Sequence, residues 1–376
     1  MQMTKYFYAG CAGIIVYIIV LVATKTKRTR ADQIFIGWQF ILLINVITFI
    51  IFNRLDYPSS LFGRVLVEIS DSSVFVHGPL FFLYTLSLSD TRFQFERKYL
   101  LHFLPFAICL AILLPGAITG HQVPNAIRQG LTILKMISLL LYTVAVILKL
   151  RGHRRRVETI FSNTEHKYLG WLKFLAWGII TVWLVAVTGL LVYTGPALNL
   201  SLSFFVFLIG YFGIRQEAIF DFSRGRAVPD DDNNITDLVE QKPDDKYRKS
   251  GLSRQRSVEL FNFLTKEMNE RKLYRDPELT SFTLAEQLKV HPNHLSQVIN
   301  QHSNQNFFEY VNTLRINDVK EALHEPKFHT HSLLGIAFEF GFNSKASFNR
   351  AFKKVTGMTP SEYKKGSGKR EVRGER

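Results

Sequence analysis

The chain has 376 residues, 47% hydrophobic and 20% charged, with a net charge of +15. Its 32 Phe and 14 Tyr exclude low-complexity disorder for most of the length, and its two cysteines, Cys11 and Cys109, both inside apolar runs, exclude a disulfide framework and a Cys-rich zinc site. The near-zero mean hydropathy of +0.07 is an average over unlike halves. Residues 1–220 carry 20 Lys+Arg and 9 Asp+Glu in short clusters between long apolar runs, whereas residues 251–376 spread 20 and 14 evenly along a polar sequence.

Crossing ~30 Å of hydrocarbon takes about 20 helical residues. Seven runs meet that length, at 6–23, 34–52, 61–88, 99–119, 129–148, 168–193 and 197–220. The first has only Lys5 ahead of it and the basic stretch KTKRTR behind it, the pattern of a retained span and not of a cleaved signal. Lys and Arg then set the orientation. Segments 25–30, 89–98 and 149–167 hold thirteen of them, against three (Lys5, Arg54, Arg128) in the alternate segments. The expected topology is a seven-helix transmembrane bundle over 1–222, with the N-terminus outside and everything after it cytoplasmic, in a bacterial cell membrane.

Ionisable residues inside a span are costly and mark function by default. The third run contains Glu68, Asp71 and His77, and Glu68 and Asp71 at i and i+3 share a helix face. The fifth contains Lys135 at a similar depth. These four are the expected lining of an outward-facing pocket for a small-molecule or envelope signal; the alternative is a structural ion pair of Lys135 with Glu68 or Asp71.

Residues 223–254 form the expected flexible acidic linker. The stretch 221–250 has 6 basic and 8 acidic residues and few apolar ones, too few to build a core. No heptad runs through it, so a homodimer is an option the sequence leaves open. Beyond it, residues 255–366 read as short amphipathic helices, followed by a basic tail over 367–376. Leu260, Phe263, Leu264 and Met268 have helical spacing. FTLAEQLKV, the turn HPN and HLSQVINQ form a helix-turn-helix, with Thr283 and Glu286 spaced as a capping box and Pro292 at a first helical position. A long helix over 306–324 follows. The pattern then recurs in SLLGIAFEFGF and NSKASFNRAFKKVTG, closed by Gly341 and Gly357. Phe348, Ala351, Phe352 and Val355 must face the core, which leaves Lys345, Ala346, Asn349, Arg350 and Lys353 outside. Such side chains suit the DNA major groove, where Arg or Lys reads guanine and Asn reads adenine.

LLGIAFEFGFNSKASFNRAFKKVTGMTPSEYKK resembles the C-terminal signature of AraC/XylS-type transcription regulators, and LAEQLKVHPNHLSQVIN resembles the first helix-turn-helix of the same domain. The resemblance covers 257–365 and rests on Ile336, Ala337, Gly341, Phe342, Phe348, Arg350, Phe352, Gly357, Thr359, Pro360 and Tyr363. It implies two helix-turn-helix units joined by a rigid helix, which place reading helices in successive major grooves of double-stranded DNA ~34 Å apart. By position, the first reading helix presents Asn293, Ser296 and Gln297, and the second Lys345, Ala346, Ser347, Asn349 and Arg350, with Lys353 beside them. His291 and Pro292 depart from the family pattern, and no Arg or Lys falls between them and Asn306.

The expected fold is therefore all-α in both halves, and the expected function is that of a membrane-bound one-component transcription regulator. No phosphate loop, GxSxG or HExxH occurs, so no catalytic residues, metal or cofactor are expected. The competing reading is a transporter or membrane receptor with a DNA-binding regulatory tail, which would show uptake by membrane fractions; no internal repeat between the first and last spans favours it.

Overall fold

The computed structural model describes residues 2–26, 28–52, 58–90, 93–121, 123–163, 169–188, a few positions between 201 and 212, 252–328 and 330–364. The linker, the basic tail and most of the seventh apolar run lie outside the described residues. Those described are helical, with no strand; one antiparallel bridge joins Phe161 to Thr280. The chain forms two compact units: residues 1–151 with 169–226, and residues 152–168 with 227–376.

The apolar unit contains α1 (Gln2–Ala23), α2 (Arg30–Ile51), α3 (Leu61–Ser72), α4 (Val74–Ser89), α5 (Leu104–Thr119) after a 3-10 stretch (Arg97–Phe103), the first part of α6 (Asn125–Ile160), and α7 (Gly170–Thr188). Thr29 caps α2 in a capping box with Asp32, and Asp32 also takes Lys25 at 3.0 Å, which closes the basic turn after α1. Trp38, Phe35, Phe81, Tyr84, Leu172 and Leu175 form the core. Large apolar side chains also point outward from nearly every helix, among them Tyr17, Phe40, Leu141 and Trp177.

Four helices among the described residues, Arg30–Ile51, Arg97–Thr119, Asn125–Ile160 and Gly170–Thr188, are long and apolar enough to cross a membrane; α3 with α4 makes a fifth if the pair, bent by 45°, is one span. The third apolar run is thus not one straight helix. It breaks at Ser73, beside the polar residues Ser70, Asp71 and Ser72. The fifth run differs too: α6 does not stop at Leu148 but continues through the basic segment to Ile160.

Two ion pairs join α3 to α6. Glu68 is fully buried and paired with both guanidinium nitrogens of Arg128. Lys135, almost wholly buried, reaches Asp71 at 2.7 Å, and the Asp71 side chain is 41% exposed. Breaking a buried pair from one side leaves a stranded charge, at a cost of about 3–5 kcal/mol, whereas removing both charges is close to neutral. Arg128→Met is therefore expected to lower the stability of the detergent-solubilised protein by about that amount, and Arg128→Met with Glu68→Gln to recover most of it in thermal unfolding.

Candidate functional site: a nucleic-acid interface

The second unit is built on one rod. α8 (Arg254–Arg271) and a 3-10 turn (Leu273–Arg275) lead to α9 (Ser281–Gln287) and α10 (Pro292–Ser303). The rod, α11 (Phe307–Ala322), then leads to α12 (Leu333–Glu339) and α13 (Lys345–Thr356). Phe307, Tyr310 and Val311 of α11 enter one core with Leu284, Leu295 and Ile299. Ile316, Val319 and Ala322 of the same helix enter another with Ile336, Phe348 and Phe352. A single helix of 16 residues thus carries a helix-turn-helix at each end.

The two turns are closed alike. The N–H of Val290 donates to the Ala285 carbonyl at 2.9 Å, and the N–H of Phe342 to that of Ala337 at 3.1 Å. Both turns need a left-handed residue one position earlier, which is Lys289 (φ 55°) in the first and Gly341 (φ 91°) in the second. Only the second strictly requires glycine, because a Cβ on Gly341 would lie 2.6 Å from the Arg275 carbonyl oxygen.

The capping differs from the sequence expectation in one place. Thr280, not Thr283, caps α9, and Thr283 is its capping-box partner in the place assigned to Glu286. Thr280 has extended backbone (φ −117°, ψ 161°) and pairs with Phe161, which starts the helix three residues earlier. His291 is the N-cap of α10, its ring nitrogen accepting from Asn293 N–H at 3.2 Å, with Pro292 at the first helical position. Ser344 caps α13 by accepting from Ser347 N–H, and Gly357 closes it. Thr359 and Glu362 cap the last helical turn, which lays Tyr363 on Phe352 with ring centroids 5.4 Å apart.

On α13, Lys345, Ala346, Asn349, Arg350 and Lys353 are exposed on one side, opposite buried Phe348, Ala351 and Phe352. Ser347 is not among them. It is buried, with its hydroxyl unpartnered, and cannot face a groove in this conformation. Gln297 departs from the expected reading face in the same way: it is 3% exposed, and its amide oxygen lacks a hydrogen bond. The reason is register. Leu295, Val298 and Ile299 define the buried stripe of α10, and Gln297 lies against it. Asn293 and Ser296 are half-buried at the surface.

Aligned on their N-caps, Ser296 takes the place of Asn349, Gln297 that of Arg350, and Asn300 that of Lys353. Asn300 was not anticipated; its amide donates to the Ser296 carbonyl at 2.9 Å. The outer side of α13 therefore carries three cations, and that of α10 carries no Lys or Arg, only amides, hydroxyls and the imidazoles of His291 and His294. Lys354 is directed elsewhere, to Glu309 in the capped first turn of α11.

A buried Arg holds the middle of the rod. Arg315 is 0% exposed and lies between the two cores. Its guanidinium donates to the carbonyls of Tyr274 (2.6 Å) and Asp276 (2.7 Å), to Asn312 Oδ1 (3.3 Å), and to the hydroxyl (3.0 Å) and carbonyl (3.4 Å) of Ser162. Burial pulls its pKa down to about 9, against the opposing effect of the Asp276 carboxylate. One turn on, Asp318 accepts from Arg275 at 2.6 and 3.0 Å and from the Tyr274 hydroxyl at 2.9 Å.

In the apolar unit the four expected pocket residues fall into three separate sets. Glu68 belongs to Arg128, which sequence reasoning had placed in an outer loop, and Lys135 to Asp71. His77 accepts from the Trp38 indole at 3.1 Å and lies 2.9 Å from the Asn45 amide, which meets Ser70 and Ser73 at 3.0 and 2.9 Å. The indole only donates, so Nδ1 of His77 is the acceptor, while the Asn45 amide oxygen accepts from the Ser70 and Ser73 hydroxyls and its nitrogen faces Nε2 of His77.

Residues 284–366 match the family described as a helix-turn-helix domain, of AraC type. The HTH-type transcriptional regulator YpdC of Escherichia coli is 36% identical over 90 residues, which is 24% of this chain and 30% of that protein. The melibiose operon regulatory protein of Escherichia coli is 32% identical over 95 residues, 25% of this chain and 30% of that protein. A solved structure from Listeria innocua, of a protein of unknown function, is 29% identical, covering 28% of this chain and 94% of that one with a TM-score of 0.24. The chain thus spans about three tenths of the length of these two curated relatives.

The two turns should respond oppositely to substitution. Gly341→Ala meets both a positive φ and the Arg275 carbonyl, and is expected to lose about 1–3 kcal/mol or more in denaturant unfolding. Lys289→Gly, which relieves a left-handed non-glycine, should be neutral or gain up to about 1 kcal/mol in the same measurement.

Proposed function

We propose that this chain is a membrane-bound, non-enzymatic transcription regulator that reads DNA through two helix-turn-helix units of one monomer. The exposed row Lys345, Asn349, Arg350 and Lys353 on α13 carries this reading. Three cations and an amide on one side of a capped helix, opposite a phenylalanine core, suit the major groove. The second unit supplies charge and guanine readout, and the first, with Asn293 and Ser296, reads more weakly. The similarity to the Escherichia coli regulators supports the same conclusion.

The apolar helices with outward apolar faces, and the thirteen-to-three loop charge bias, support seven spans with the N-terminus outside and the reading domain in the bacterial cytoplasm. The signal site then narrows to Lys135 and Asp71, since Glu68 and His77 are engaged elsewhere. A nearly buried cation beside a half-exposed carboxylate suits a polar ligand that competes for either charge. Exchanging the two, Lys135→Asp with Asp71→Lys, preserves a purely structural pair. It is expected to restore folding, read as monodisperse detergent-solubilised protein, but to leave a promoter reporter unresponsive to growth conditions that switch the wild type. A normal reporter response would rule out the ligand site.

For DNA, the intact protein and a duplex selected on it from a random pool provide the test. Lys353→Ala is expected to weaken all duplexes alike and to reduce the slope of log K against log salt by about 1. Arg350→Ala should cost about 1–3 kcal/mol and relax preference at one base pair. Uniform weakening by both variants would assign Arg350 to phosphate.

A further inference from the structure

The residues that complete the environment of Arg315 come from far away in sequence. Residues 161–163 follow α6 directly, in the basic connection between the fifth and sixth apolar runs, yet they pack in the second unit. Phe161 pairs with Thr280 in an antiparallel bridge. Ser162 is fully buried: its N–H and hydroxyl both donate to the Leu279 carbonyl at 3.2 and 2.7 Å, and its carbonyl accepts from Asn312 at 3.0 Å and from Arg315. Asn163, 4% exposed, donates from its amide to the carbonyls of Pro277 and Gly341.

These partners, three acceptors and two donors, belong to different parts of the domain. Leu279 and Pro277 precede the first helix-turn-helix, Asn312 and Arg315 lie at the middle of the rod, and Gly341 is the turn residue of the second. A span of three residues therefore ties both helix-turn-helix units to the helix that joins them. A solvated loop would have left Ser162 and Asn163 in water. Burial of Ser162 with its N–H, hydroxyl and carbonyl all paired, and of the Asn163 amide nitrogen on two carbonyls, is the mark of a specific groove and its occupant, even though the Asn163 side-chain oxygen is unpartnered.

We propose that residues 161–163 are a docking peptide, that the groove formed by 277–280, Asn312, Arg315 and Gly341 is its receptor, and that docking locks the two reading helices in the spacing needed to engage both half-sites together. This rests on the DNA-reading proposal above. Because the peptide continues from α6, which begins in the apolar unit, its engagement is the route by which that unit sets DNA affinity. Two binding units gain from linkage only while their geometry permits simultaneous engagement, and the gain is then at least about 100-fold over one unit alone. Loosening the joint should remove a part of it.

The test uses the full chain in detergent. Directly paired antiparallel residues have Cα atoms about 4.5–5.5 Å apart, within disulfide reach, and Cys11 and Cys109 are buried. Phe161→Cys with Thr280→Cys is expected to form an intramolecular cross-link under mild oxidation, detected by a peptide map. Asn163→Asp removes both donors and sets a carboxylate against two carbonyl oxygens. It should bind a selected duplex of about 30 bp at least ~10-fold more weakly than the cross-linked protein, with equal affinity for a duplex cut to one half-site. The retained half-site affinity separates undocking from misfolding. No cross-link would overturn the docking, and equal or tighter binding of the long duplex by Asn163→Asp would overturn its role. If no duplex is selected at all, the DNA-reading proposal fails and takes the regulatory role with it, while the cross-link still decides whether the peptide docks.

Discussion

A guanidinium with no access to water, held by five acceptors, organises the second unit. Without those acceptors, burying Arg315 would cost several kcal/mol. With them, it fixes the carbonyls of Tyr274 and Asp276, Asn312 and Ser162 about one point. The choice of Arg over Lys follows from geometry: five N–H donors in a planar fork can serve backbone carbonyls on several sides, which a single ammonium cannot. Two small hydrophobic cores that share only one helix would otherwise be free to twist about it. The polar joint at the midpoint of α11, reinforced one turn on by Arg275 and Asp318, makes them a single body.

Much of this domain was legible in the sequence because its signals are local. Gly341 and Gly357 end their helices as expected, and the stripe of Phe348, Ala351 and Phe352 faces the core at helical spacing. The caps were less legible. Thr280 and Thr283 both precede an apolar run, and the one that caps, Thr280, is also bridged to Phe161, more than 100 residues away in sequence. Gln297 and Ser347 show a related limit: a polar residue one step from an apolar stripe is assigned to the surface by its chemistry, and here the packing of α10 and α13 covers both. Arg315 itself lies in a stretch of helical spacing, RINDVKEAL, where a cation reads as solvated. Nothing local distinguishes it from Lys320.

In the apolar unit the sequence located the costly residues and offered Asp71 as one of two partners for Lys135, but it did not supply Arg128 as the partner of Glu68. Glu68 and Asp71 share one face of α3, as i and i+3 require, and both turn toward α6. Partner choice depended on the rotation of α6, which hydropathy does not encode because that helix is apolar around most of its circumference. Arg128, at the start of α6, was therefore counted as a topology marker although it neutralises the most buried carboxylate of the unit. The break between α3 and α4 belongs to the same logic. Ser70 and Ser73 both donate to the Asn45 amide oxygen beside the 45° bend, so the polar side chains at the break are hydrogen-bonded to one another.

The net charge of +15 invites a nucleic-acid reading that its distribution does not support. Residues 1–220 contribute +11 of it, in short clusters between apolar runs, and residues 251–376 contribute only +6. A modest charge is sufficient when it is placed well. Lys345, Arg350 and Lys353 lie on one side of one helix, and long-range attraction across ~10 Å of screening depends on such local density more than on totals. The basic segment 149–156 has a double position in this scheme. As a topology signal it would need only to stay on one side of a bilayer, but it lies in α6 and ends five residues before Phe161. A stiff helix transmits a rotation or a shift along its length, whereas a flexible loop absorbs it.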